Sequence, residues 1–239
     1  SIRNTLGRFS IVIFLTVVSS YALKSQSTIK YTLTQDKALI AVKFSPDGKT
    51  LATLSADKTI CLWNAETGSS LKVLDDKSDG DVAICFSPDG RYIASGNWDK
   101  TIKIWDIEKA KVIRRLIGHL QATRSLSYHP EGKLIASAGW DDQVKIWYAP
   151  TGINVKNLTG HTQCVRAVSF SPDGKLLATG GYDLNLKLWN ISTGKEVFSV
   201  KAHSYPLEAL AFSPDGKYIA TAGLENAVKL WDVENGNMI

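Results

Sequence analysis

The sequence contains few cysteines and only four histidines, the residues that form disulfides and commonly bind metals. Its three cysteines, Cys61, Cys85 and Cys164, show no CxxC or paired spacing in 239 residues. A sparse, odd count argues against a disulfide framework and favours reduced thiols in an intracellular protein. No glycine-rich phosphate loop is present, and no helical periodicity persists for long. We therefore expect no enzyme activity, no cofactor and no metal site.

Charge and composition are also unexceptional. The formal net charge is +5, with 44% hydrophobic and 21% charged residues, and this balance argues against disorder. A mild positive charge permits acidic partners but does not demand nucleic acid. The length lies within the range of one large all-β domain.

What the sequence does contain is a repeat with a strict period of 42 residues. Four independent series share this period without insertion, which indicates a repeat architecture. They are Pro46, Pro88, Pro130, Pro172 and Pro214; Trp63, Trp105, Trp147, Trp189 and Trp231; Asp57, Asp99, Asp141, Asp183 and Glu225; and Thr53, Ser95, Ser137, Thr179 and Thr221.

Each repeat is predicted to form four short strands. In one repeat these cover residues 165–170, 175–179, 185–189 and 196–200, which are rich in Val, Ile and Leu and are separated by Pro-Asp-Gly and Thr-Gly turns. Four strands per unit predict a propeller blade, and blades stack around a channel because one blade cannot bury both faces. The predicted fold is therefore an all-β propeller, with five clear repeats in residues 36–239.

The repeats resemble WD (Trp-Asp) repeats over that range. The segments SFSPDGKLLATGGYDLNLKLWNISTG and SYHPEGKLIASAGWDDQVKIW carry the resemblance. It implies a buried tetrad per blade, in which His joins Ser or Thr, Asp and Trp. Two complete sets match: His119, Ser137, Asp141 and Trp147, and His161, Thr179, Asp183 and Trp189.

Three repeats depart from this tetrad. Glu225 replaces Asp beside His203, which puts the geometry of that set in doubt. Gln35 and Lys77 stand at the His position of the first two repeats, so we expect those blades to lack the full network and to be looser. A catalytic Ser-His-Asp triad is disfavoured, because the same buried trio recurs in successive repeats. His129, which replaces Ser in one turn, is interpreted as a surface substitution.

The resemblance also implies which residues surround the channel at the top of the propeller. We expect these residues to bind a protein partner, because Trp, Tyr and Arg are common anchors of interfaces. Alternatively, the aromatic residues merely fill space between loops. The face could also bind nucleic acid or another anionic ligand, or the chain could be the sensing region of a larger signalling protein. The candidate residues are Trp98, Trp140, Tyr182, Leu224, Arg124, Arg166 and Glu208.

Residues 1–35 allow two interpretations. The apolar run from Phe9 to Val18 follows two arginines and resembles a signal peptide over residues 1–22, which would make the protein secreted or periplasmic; it is too short for a confident membrane span. Alternatively, residues 1–27 form a degenerate blade, since Tyr21 lies 42 residues before Trp63. We favour the blade and a cytoplasmic protein.

The number of blades depends on that choice. Residues 28–33 are predicted to form an outer strand, which would close a five-blade ring if a signal peptide precedes it. A degenerate blade would give six or more blades. The chain starts with Ser1 and ends where a fourth strand should begin, so we expect a fragment of a longer protein, with exposed sheet edges that favour association.

Overall fold

The structure is a computed structural model that describes residues 32–35, 37–75 and 80–239. Its described residues form nineteen β-strands and no helix, so none of them belongs to a helix that could cross a membrane. The signal-peptide and degenerate-blade interpretations of residues 1–27 lie outside the described residues, as does Lys77.

The strands form five antiparallel sheets, one per repeat, and each sheet is a blade. In the first four blades the strands follow chain order from the inner to the outer edge. The first blade contains β1 (Leu39–Phe44), β2 (Thr50–Ser55), β3 (Ile60–Asn64) and β4 (Ser70–Leu74); the second contains β5 (Asp81–Phe86), β6 (Tyr92–Asn97), β7 (Thr101–Asp106) and β8 (Lys111–Ile117). The third contains β9 (Thr123–Tyr128), β10 (Leu134–Gly139), β11 (Val144–Tyr148) and β12 (Ile153–Leu158); the fourth contains β13 (Val165–Phe170), β14 (Leu176–Gly181), β15 (Asn185–Asn190) and β16 (Glu196–Lys201).

The fifth blade has three strands and the beginning of a fourth. It contains β17 (Leu207–Phe212), β18 (Tyr218–Gly223) and β19 (Val228–Asp232). An isolated bridge joins Trp231 to Met238, and the Ile239 N–H donates to the Leu230 carbonyl over 2.8 Å. The predicted all-β propeller with a 42-residue repeat is thus confirmed.

The Pro-Asp-Gly turns explain why the first two strands of a blade pair so regularly. In the fourth blade, the Ser171 hydroxyl donates to Asp173 over 2.7 Å and accepts the Leu176 N–H over 2.9 Å. Gly174 adopts φ +75°, a conformation that glycine tolerates without strain. The turn therefore fixes the hairpin through groups within six residues of one another.

The core lies between blades, as a series of separate apolar layers. Between the third and fourth blades, Val144 and Ile146 pack with Phe170, Leu177 and Trp189. In each of the other layers, a Trp side chain of one blade packs against apolar residues of the preceding blade. These residues are Trp105, Trp147 and Trp231. The inner strands β1, β5, β9, β13 and β17 contact one another in succession around the channel.

The first and fifth blades expose side chains whose equivalents in other blades are buried. Phe44 in β1 is 43% exposed, whereas Phe170, at the same position of the fourth blade, is 6% exposed. Val228 in β19 is 63% exposed, whereas Val144 in β11 is fully buried. Within the described residues, the first and fifth blades therefore do not cover each other as neighbouring blades do.

Candidate functional site

The inner strands define two faces of the propeller. Each inner strand ends at a Pro-Asp-Gly turn, or at Pro130-Glu131-Gly132 in the third blade, and begins at the opposite face, which we call the top face. Backbone hydrogen bonds hold the loop between the second and third strands against the start of the inner strand of its own blade. The donor and acceptor pairs are Trp98 and Gly80, Trp140 and Ala122, Tyr182 and Cys164, and Leu224 and Pro206, at 2.9–3.1 Å.

Beneath this face, each of the last three blades contains a continuous buried hydrogen-bond network. In the third blade, Trp147 Nε1–H donates to Ser137 Oγ over 2.7 Å, and Ser137 Oγ lies 2.7 Å from His119 Nε2. His119 Nδ1 lies 2.9 Å from the Asp141 carboxylate. Because a carboxylate only accepts, Nδ1 carries the proton and donates it to Asp141. Each buried polar group thereby has a partner.

The fourth and fifth blades repeat this arrangement. His161 Nδ1 lies 2.7 Å from Asp183, and Thr179 Oγ1 joins His161 to Trp189 at 2.7 and 2.8 Å. In the fifth blade the longer Glu225 still reaches His203 Nδ1 over 2.8 Å. Glu225 also accepts the backbone N–H of Ser204 over 2.7 Å.

The acidic members of these networks are held ionised. Burial alone would raise the pKa of Asp141, but hydrogen bonds from His119 and from the Leu120 N–H outweigh it and lower the pKa. The pKa of Asp183 is lowered in the same way, against burial, mainly by His161. Burial is likewise outweighed at Glu225, where His203 and Lys229 lower the pKa to about 2.

Gln35 takes over part of the His role in the first blade. Trp63 Nε1–H donates to Thr53 Oγ1 over 2.8 Å, and Thr53 Oγ1 donates to Gln35 Oε1 over 2.7 Å. The Gln35 amide reaches Cys61 Sγ at 2.9 Å. Asp57 takes no part in this series of hydrogen bonds. It accepts a hydrogen bond from the Thr59 hydroxyl over 2.6 Å. The Gln35 side-chain amide can donate and accept hydrogen bonds at the same time, as an imidazole can. The sequence could therefore have indicated that Gln35 replaces His here, although no His is present.

Trp98, Trp140, Tyr182 and Leu224 lie side by side on successive loops of the top face. Trp98, Tyr182 and Leu224 are exposed. The Trp98 and Trp140 rings meet edge to face, with centroids 4.9 Å apart and an interplanar angle of 87°. We call Trp98, Trp140 and Tyr182 the aromatic row.

The arginines predicted beside this row stack on it. The Arg124 guanidinium lies over the Trp140 ring and the Arg166 guanidinium over the Tyr182 ring, each 5.5 Å from the centroid. Arg166 Nε also donates to Glu208 over 3.1 Å, and Arg166 Nη2 binds the same carboxylate oxygen. These distances join six of the seven candidate residues into two groups, one around Trp140 and one around Tyr182, and leave Leu224 outside both.

Among the described residues, Arg124 has no carboxylate partner, whereas Arg166 has Glu208. The Nε of Arg124 is buried and makes no hydrogen bond to any described residue. Burial, and then the positive charge of Arg166, lower the pKa of Arg124. Cys164 lies close to both arginines, yet burial raises its pKa to about 11, so the thiol stays protonated at neutral pH.

The aromatic and guanidinium groups of this face are suited to binding. Across the described ranges, no three His, Cys, Asp or Glu side chains gather as a metal-binding group. The groups that reach the surface are indole, phenol and guanidinium groups, which provide contact area, cation–π interactions and hydrogen-bond donors.

A cavity on the opposite face was not anticipated from the sequence. It has a volume of about 570 Å³ and lies between the second and third blades, beside Tyr92, Tyr128 and Ala149. Ala149 occupies the position that Ile107 and Ile191 hold in neighbouring repeats, so its smaller side chain leaves part of this space unfilled.

The interpretation of His129 as a simple surface substitution was wrong. Its ring is half-buried and packs edge-to-face on Phe170, with centroids 5.1 Å apart. Its Nε2 lies 3.1 Å from the Gly174 carbonyl. His129 therefore joins the turns of two neighbouring blades, because its ring is longer than a Ser side chain.

Comparison with known proteins agrees with this architecture. The family described as "WD domain, G-beta repeat" matches the chain at residues 27–64, 68–106, 110–148, 152–190 and 194–232. A segment of 33 residues is 64% identical to Protein Mut11 of Chlamydomonas reinhardtii, covering 14% of this chain and 9% of that protein. The chain thus spans only a small part of that relative's length. Because the family matches all five repeats, this chain belongs to the WD-repeat β-propeller family.

Proposed function

We propose that this protein is a non-catalytic scaffold that binds other proteins through the aromatic row of its top face. The observation that carries the proposal is the contact between Trp98 and Trp140 at 4.9 Å, on a face where both Trp98 and Tyr182 remain exposed. Large aromatic side chains that stay accessible on a rigid surface are typical interface anchors, because they bury much area at a small entropic cost.

The rigidity of this face supports the same proposal. The loop that carries each aromatic residue is bound to its own inner strand, and in the third and fourth blades it also contains the Asp of the buried network. The aromatic row is therefore held in place before a partner arrives. Preorganised side chains lose less conformational entropy on binding.

Nucleic-acid binding is the weaker alternative. At the top face, Arg166 is already neutralised by Glu208, so among the candidate residues only Arg124 offers an uncompensated cation, which is little for a phosphate backbone. Binding to phosphates weakens steeply with salt. A complex of this protein that tolerates raised salt is therefore expected if the partner is a protein.

The test is affinity capture from extract of the source cells, with the parent chain and two triple variants compared by quantitative mass spectrometry. The first variant, Trp98→Ala, Trp140→Ala and Tyr182→Ala, removes the aromatic row. The matched control, Tyr148→Ala, Ile153→Ala and Val155→Ala, removes exposed apolar side chains from the third and fourth strands of the third blade.

Far-UV circular dichroism checks that both variants are folded. We expect specific partners of the parent to be lost from the first variant and retained by the control. Equal capture by the parent and the first variant would overturn the proposal.

A further inference from the structure

The top face breaks the repeat pattern at one place, between the second and third blades. Within the described residues, three buried side-chain polar atoms have no hydrogen-bond partner: Asn97 Oδ1, Thr123 Oγ1 and Arg124 Nε. Asn97 directly precedes Trp98, and Thr123 directly precedes Arg124. Native proteins seldom leave such atoms unpaired, and a group of them in one place calls for an explanation.

Asn97 and Thr123 differ from their equivalents in the other repeats, and only Arg166 repeats the arginine at the position of Arg124. Asn97 stands where the last three repeats have glycine, and Thr123 stands where the next two have Val165 and Leu207. At the position of Arg124, the first two repeats have Ile40 and Val82. The fold therefore does not require polar groups at these positions.

The neighbouring blade shows what Arg124 lacks. Arg166 and Arg124 are both the second residue of an inner strand and both stack on an aromatic ring at 5.5 Å. Arg166 is satisfied by the carboxylate of Glu208, the equivalent residue of the next blade. Arg124 has Arg166 as its equivalent in the next blade, so it meets a like charge.

We propose that Arg124 is a binding site for a carboxylate, and that the partner inserts an acidic side chain beside Trp98 and Trp140. This inference rests on the proposed function and specifies the chemistry of the partner. The carboxylate would take the role that Glu208 has for Arg166, as an acceptor for the guanidinium fork. The exposed Trp98 ring would cover the aliphatic part of the acidic side chain.

The experiment titrates the full chain with a capped pentapeptide, Gly-Ser-Glu-Ser-Gly, and with its Gln analogue. Binding is followed through the indole N–H signals of Trp98 and Trp140 in ¹H–¹⁵N NMR spectra, assigned with single Trp→Phe variants. For one ion pair with a small apolar contact, we expect a Kd of about 1 mM. The Gln peptide should bind at least about tenfold more weakly, since it lacks the charge-assisted hydrogen bonds.

Three variants test the role of Arg124. Arg124→Gln should abolish the saturable shift. Arg91→Gln is the matched control, because Arg91 also lies 5.5 Å from an aromatic centroid, that of Tyr92 on the opposite face; it changes net charge equally and should leave binding unchanged. Glu208→Gln should tighten binding of the Glu peptide, because it releases Arg166 from its internal partner, and this gain keeps the test decisive if Arg124→Gln does not fold.

Several results would overturn the inference. They are equal binding of the Glu and Gln peptides, an equal loss in Arg91→Gln, no gain in Glu208→Gln, or steeply salt-dependent binding of oligothymidylate at the same signals in preference to the Glu peptide. If the aromatic row is needed for protein capture but no shift depends on Arg124, the scaffold function stands and the acidic specificity fails.

Discussion

Substitution of Thr179 tests whether the buried networks stabilise the fold, because its hydroxyl oxygen is hydrogen-bonded to two partners. Its Oγ1 accepts from Trp189 Nε1–H over 2.8 Å and lies 2.7 Å from His161 Nε2. Thr179→Val keeps the shape of the side chain and removes both bonds. Thr179, Trp189 and His161 are all buried, so water cannot replace the lost oxygen.

The expected destabilisation follows from these contacts. A buried donor or acceptor that loses its partner costs about 1–3 kcal/mol, and this substitution leaves one of each. We expect the free energy of unfolding to fall by about 2–6 kcal/mol. With a urea dependence of about 2 kcal/mol per molar, the unfolding midpoint should drop by about 1–3 M.

Urea unfolding followed by far-UV circular dichroism measures this shift. Thr162→Val is the matched control, because Thr162 is exposed and only its backbone N–H binds Asp183, over 3.3 Å. Its midpoint should stay close to that of the parent. A midpoint for Thr179→Val within about 0.2 M of the control would refute the reasoning, because the networks would then add little net stability.

Two further predictions concern the cavity and the pH dependence. Ala149→Ile should raise the urea midpoint, with a gain of about 1 kcal/mol, because the added carbons fill part of the 570 Å³ cavity; an unchanged or lower midpoint would contradict the contribution of Ala149 to the cavity. Glu225 has an ordinary pKa of 4.5 that folding lowers to about 2, so its stabilisation is present above pH 4.5 and is lost as the pH falls towards 2. The urea midpoint of Glu225→Gln should therefore fall less than that of the parent between pH 5 and pH 2, and identical slopes would exclude Glu225 as a contributor.

The sequence predicts the strands closely because the repeat supplies five copies of one pattern. The predicted strand at residues 165–170 is β13 (Val165–Phe170), and the one predicted at 185–189 becomes β15 (Asn185–Asn190). Each turn is determined by residues near in sequence, such as Ser171 and Asp173. Turns that depend only on neighbouring residues can be predicted from the sequence without knowledge of the tertiary structure.

Other features depend on contacts between residues that are far apart in sequence. The pairing of Arg166 with Glu208 joins neighbouring blades, and only the 42-residue spacing hints at it. Gly139 is a further example, because a Cβ there would lie 2.5 Å from Asp141 Oδ1 and 2.7 Å from His119 Nδ1. The repeats whose His position holds Gln35 or Lys77 have Ser or Asn at the Gly139 position. The cavity beside Ala149 likewise required the structure, since its walls come from two blades.

The buried networks also decide how much of this chain behaves as one cooperative unit. His119 follows β8, the outer strand of the second blade, yet its ring bonds to Ser137 in the third blade. His161 and Gln35 are placed in the same way relative to the blades they enter. The first, third, fourth and fifth blades are therefore each held by a buried hydrogen bond to a side chain from the segment that precedes them, so removal of that segment would take a hydrogen-bond partner from the blade. Unfolding of one blade should consequently destabilise the next one. We therefore expect the cooperative unfolding unit to be larger than a single 42-residue repeat.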